Sequence, residues 1–127
     1  MEPINFGTSS EHVRITLPPS FSAEGWGQAD VDIAVAGFTG RLCPWVERQD
    51  FTLFAAKLRR LYETLDGTAE FSPIERQLTF CLTAGVGGHI QLEGEALFGP
   101  VFENRLSFKL DLDQTYLREP LQHIEGL

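Results

Sequence analysis

Three carboxylates in the second half of the chain have the spacing to do chemistry. Glu93 and Glu95 stand two residues apart in an alternating apolar run, so on a strand both leave the same face, roughly 6–7 Å apart. A hairpin turn centred on Gly99-Pro100 would set Glu95 opposite Glu103 and Glu93 opposite Arg105. Two carboxyl groups at such a distance can work as an acid–base pair once one of them is desolvated. The bland reading is a solvated outer sheet face, with Glu93–Arg105 as a cross-strand ion pair and Glu95–Glu103 as a mild repulsion. Thr79, Gln91, Ser107 and Lys109 share that face, which favours the solvated reading.

The remaining candidates are weaker. His12, His89 and His123 fall in three different elements, and adding Cys43 and Cys81 gives no ligand set, so no metal is expected. Gly85-Val86-Gly87-Gly88 is glycine-rich but lacks a following Lys-Ser/Thr, and a strand stands where a phosphate site wants a helix. A hairpin turn explains it. Asp111-Leu112-Asp113-Gln114-Thr115 imitates the start of a calcium loop, yet Tyr116 occupies the glycine position and Gln122 the place of the closing glutamate. Ser107 and the other serines have no nucleophile elbow, and Cys43 has no second cysteine for a redox pair. No catalytic residue and no cofactor is assigned. Trp26, in a Gly-rich loop, and Trp45, at a strand end, read either as plugs for a small core or as interface anchors.

The composition bounds the class. With 127 residues the expectation is a single globular domain spanning 1–127. Ten Lys+Arg against eighteen Asp+Glu give a charge of −8, the wrong sign for tracking phosphates, so no nucleic-acid partner is expected. The longest apolar run, Ile33 to Phe38, is too short for a membrane span, and the first residues show no export signal. A cytoplasmic protein with two small, buried or half-buried thiols is the expectation; one disulfide between them is arithmetically possible.

The elements that must position these residues follow from periodicity. Val13, Ile15 and Leu17 alternate with polar neighbours until Pro18-Pro19, and Val31, Ile33 and Val35 form a second alternation. A further strand is expected near 41–46. Phe51, Phe54, Ala55, Leu58, Leu61, Tyr62 and Leu65 mark one stripe of a four-turn helix, with Asp50 as N-cap and Gly67 as the left-handed terminator. Burying that stripe contributes on the order of 10 kcal/mol before entropy, so Leu58→Asp should unfold the chain. Three rows then make an antiparallel meander: Leu78, Phe80, Leu82; Ile90, Leu92, Ala96; and Phe102, Leu106, Phe108, Leu110. A three-residue turn at Gly85–Gly87 pairs Phe80 with Leu92 and Leu82 with Ile90, and the next turn pairs Leu92 with Leu106 and Ile90 with Phe108. Asp113 can cap a turn over 114–117, followed by a short helix or turn. The expected fold is α+β: one curved antiparallel sheet of about six strands, with the 51–65 helix on its inner face.

This order of motifs resembles the WapI-type immunity proteins, small bacterial proteins linked to polymorphic toxin systems. The resemblance is carried by Asp50-Phe51-x-x-Phe54-x-x-x-Leu58-x-x-Leu61, Gly67-Thr68-Ala69-Glu70-Phe71, Gly88-His89-Ile90 and the closing Asp113-Gln114-Thr115-Tyr116-Leu117. It covers about residues 29–124 and leaves residues 1–28 outside. It implies a non-enzymatic cytoplasmic protein that binds and blocks a toxin domain, with no catalytic residues to carry over. Glu93, Glu95 and Glu103, with Trp26, are then the candidate partner-binding residues, an acidic surface meeting a basic cleft. The alternatives are a small carboxylate-dependent enzyme built on the same glutamates, and a small-molecule-binding domain with an apolar cavity between helix and sheet.

Overall fold

A computed structural model describes residues 3–99 and 101–127. The elements are β1 (Ile4–Gly7), β2 (His12–Thr16), β3 (Trp26–Gln28), β4 (Asp30–Val35), β5 (Phe38–Leu42), β6 (Trp45–Glu47), α1 (Arg48–Thr64), β7 (Thr68–Phe71), β8 (Leu78–Ala84), β9 (His89–Phe98), β10 (Asn104–Asp113) and α2 (Arg118–Glu125). They make an α+β fold with three antiparallel sheets, ordered β1-β2-β4-β5, β10-β9-β8-β7 and β3-β6. In place of the expected single sheet of about six strands, the described residues form ten strands in three sheets.

Local chemistry explains the division. The strand expected near 41–46 is cut at Pro44, which has no N–H for a ladder. The chain turns there, the Pro44 carbonyl accepts from the Ala29 N–H at 2.9 Å, and Trp45–Glu47 pairs with Trp26–Gln28 instead of extending β5. β1 and β7 carry only two inward apolar residues each, Ile4 with Phe6 and Ala69 with Phe71, too few to mark a strand by alternation.

The core lies between the inner faces of the two four-stranded sheets, with α1 packed at one side. Five phenylalanines join all three. Phe6 of β1 meets Phe54 of α1 at 6.2 Å and Phe80 of β8 at 5.6 Å, and Phe54 meets Phe71 and Phe80 edge-on at 5.7 and 5.4 Å. Phe71 stacks on Phe80 at 5.0 Å, and Phe51 lies 5.0 Å from Phe71. All five rings are buried between α1 and the two sheets.

Of the expected helical stripe, Phe51, Phe54, Ala55, Leu58 and Leu61 are buried, while Tyr62 and Leu65 are half-buried. The N-cap is Glu47 and not Asp50: Asp50 sits three residues inside, where its Oδ2 accepts the Glu47 N–H at 2.8 Å. The left-handed terminator is Leu65 (φ 51°), whose N–H bonds the Leu61 carbonyl at 2.8 Å, with Gly67 (φ 83°) two residues further on.

The meander keeps its expected inward faces but not its expected pairings. Leu82 pairs with Leu92 and Ala84 with Ile90, because a 3-10 turn over Val86–Gly88 lengthens the first loop. Leu92 pairs with Leu110 and Ile90 with Leu112, since the second ladder closes at Phe98–Asn104. Pro100, half of the expected turn centre, lies outside the described residues. Phe102, expected in the inward row, precedes β10 and is exposed at φ 54°. The slips of two and four residues preserve the faces because the side-chain period is two.

The closing Asp113-Gln114-Thr115-Tyr116-Leu117 string forms the expected capped turn. Asp113 accepts the Thr115 N–H at 2.8 Å and also bonds the Thr115 hydroxyl. The Gln114 amide donates to the Tyr62 carbonyl at 2.8 Å, satisfying an acceptor in the last turn of α1. Leu117 is fully buried. α2 then starts at Arg118, so Pro120 falls in its first turn, where no N–H is needed. Arg59 and Glu125 join α1 to α2, with the guanidinium Nε donating to the carboxylate at 3.0 Å.

Candidate functional face of the second sheet

Residues that alternate with the buried rows project from the outer face of the second sheet. The ladder aligns Glu70 with Cys81, Glu93 and Lys109 in one row, and Thr79 with Glu95 and Ser107 in the next. Together with Ser72 and Arg76 they line a shallow hollow of about 700 Å³. Gly94 lies at its middle for a packing reason. A Cβ there would meet Phe108 Cζ at 2.5 Å and the Thr79 carbonyl at 2.9 Å, so the Phe108 ring occupies the space a side chain would take.

Glu93 and Glu95 share this face, as their spacing requires, but their partners differ from those expected. Glu93 pairs with Lys109 (3.5 Å), since the shifted register puts Lys109 and not Arg105 opposite it. Glu95 lies opposite Ser107 and reaches diagonally to Arg105 at 3.5 Å. Glu103 leaves the cluster altogether. It sits just before β10, where its carboxylate accepts the Val101 N–H at 3.3 Å. Trp26 is half-buried on the β3–β6 ribbon opposite Glu47, and Trp45 lies diagonally from it on the same ribbon face, 51% exposed.

Three carboxylates and two cations line the hollow, so its charge is nearly balanced and the overall acidity is spread elsewhere. Glu70 and Arg76 escaped the sequence reading because β7 and the turn after it carry so weak a pattern. Cys81 opens onto the hollow, half-buried, and burial pushes its thiol pKa up, away from the reactive thiolate. Cys43 is exposed, contrary to expectation, and both cysteines are free. Among the described residues no group of three or more His, Cys, Asp or Glu is placed to hold a metal ion. The described helices include none long and apolar enough to cross a membrane. Chemically the face offers paired charges, hydroxyls and a concave floor, a surface suited to contact.

The model of the Immunity protein WapI-like family matches residues 4–127. The chain belongs to that family. The match begins at residue 4, so β1, β2 and the Trp26 loop lie inside it, whereas the motif resemblance covered only residues 29–124. This immunity-family chain is also similar to a solved structure titled "Crystal structures of trypanosoma bruciei MRP1/MRP2", with 10% identity and a TM-score of 0.52, over 91% of this chain and 71% of that one. At that identity the likeness concerns the fold alone. Comparison with curated proteins gave no match.

Proposed function

We propose that this member of the immunity family is a non-enzymatic binding protein that occludes a cognate bacterial toxin domain, acting in the cytoplasm as one domain. The family match over residues 4–127 is the observation that carries this reading. The outer face of the second sheet supports it: Glu93 and Glu95 line a shallow, open hollow and are engaged with Lys109 and Arg105, an arrangement that presents polar groups to a partner.

The contact surface centres on Glu93 and Glu95, with Glu103 on the adjoining loop and Trp26 on the β3–β6 ribbon as further contacts. The charge of −8 accelerates encounter with a basic toxin cleft at long range, while the balanced hollow provides short-range complementarity. The test is co-expression with the toxin domain encoded beside the gene, followed by titration calorimetry of the purified pair. Growth rescue and a one-to-one complex whose association slows with salt support the proposal. Failure of both rescue and binding overturns it.

A further inference from the structure

Helices flank one side of the two main sheets: α1 packs against β7 and α2 against β1. On the other side the edge strands are β5 and β10, and among the described residues no strand pairs with the outer edge of either. β10 is ten residues long, so its free edge is a ready template for another strand. Natural edges usually carry charge that repels such pairing. Here the order of the charges does the opposite.

The outward residues of β10 are Arg105, Ser107, Lys109, Asp111 and Asp113, all exposed, with cations first and anions last. The inward row is Leu106, Phe108, Leu110 and Leu112. A strand with that sequence of signs complements itself when run antiparallel. We propose that β10 pairs with β10 of a second copy about a two-fold axis, joining two second sheets into one continuous sheet.

The axis passes through Leu110. In that register Lys109 of each copy faces Asp111 of the other, and Phe108 faces Leu112, so charge meets opposite charge and apolar meets apolar. Placing the axis on Lys109 would set that ammonium group against its own copy and leave Asp111 facing Ser107. A one-residue slip between the strands would set apolar residues against charged ones. Lys109 and Asp111 are 67% and 73% exposed; their present partners, Glu93 and His89, both belong to β9, on the side away from the free edge.

The proposal goes beyond toxin binding and is tested without a toxin. Sedimentation of the free protein from micromolar to near-millimolar concentration should show a monomer–dimer equilibrium. Lys109→Asp and Asp111→Lys should each weaken it about tenfold or more, since each turns two attractive cross-strand pairs into repulsive ones. Mixing the two variants should restore association, because both cross-strand pairs of the mixed dimer again join opposite charges; circular dichroism checks that each variant is folded. A monomer at every concentration overturns the proposal, as does a dimer indifferent to both swaps or a mixture that stays monomeric. A toxin strand as the true occupant of this edge would give the first of these.

Discussion

Phe54→Ala is the substitution that tests the architecture most severely. Phe54 is 2% exposed and touches rings from both main sheets: Phe6 at 6.2 Å on one side, Phe71 and Phe80 at 5.7 and 5.4 Å on the other. Removing the ring loses its transfer free energy, opens a cavity between elements that cannot all collapse onto it, and deletes three edge-on aromatic contacts. Phe-to-Ala changes at such sites cost about 3–5 kcal/mol, the aromatic pairs included. For a domain of this size that lowers the melting temperature by about 10–20 °C. Guanidinium and thermal unfolding followed by circular dichroism measure it. Leu53→Ala, one residue earlier but 61% exposed, is the control and should stay within about 0.5 kcal/mol of wild type. A loss below about 1 kcal/mol for Phe54→Ala, or equal losses for both variants, would refute the claim that this cluster pins the helix to the two sheets.

Other outcomes follow from particular contacts. Gly94→Ala should cost about 1–3 kcal/mol in denaturant unfolding, because its Cβ would collide with the Phe108 ring and the Thr79 carbonyl. Hydrogen bonding to Arg59 holds the Glu125 carboxyl below its ordinary range. With the folded-state value depressed, that stabilisation is present above the unfolded carboxylate range and fades as pH falls through the folded value. Arg59→Ala should therefore flatten the acid limb of a stability-versus-pH curve, and an unchanged limb would count against the bridge. A thiol reagent should modify exposed Cys43 fast and Cys81 slowly, and Cys43→Ser should abolish the fast phase.

Much of the fold was legible because it repeats a period. The α1 stripe, the alternation of β2 and β4 and the inward rows of the meander all follow from spacing, and even the misplaced registers kept their faces. What escaped were features set by single groups or by distant partners. Pro44 ends β5 and hands the next residues to β3, a pairing that no local pattern announces. β1 and β7 exist because Phe6 and Phe71 join the ring cluster, a tertiary cause invisible in four-residue segments. Closure of the second ladder at Phe98–Asn104 moved the third row by four residues, and with it went the neighbours of the candidate site. Glu93 and Glu95 share a face as their spacing demands, while Glu103 was misplaced because its position rested on the turn and not on periodicity.

The central claim is that this protein works by covering a toxin surface and performs no chemistry itself. Its most direct test is titration of the purified protein into the neighbouring toxin domain, with toxin activity followed in the same samples. Stoichiometric loss of activity at one equivalent, with the protein recovered unchanged in a stable complex, is the expected result. Loss of toxin activity at a small fraction of an equivalent, with the toxin or its substrate chemically altered, would contradict it.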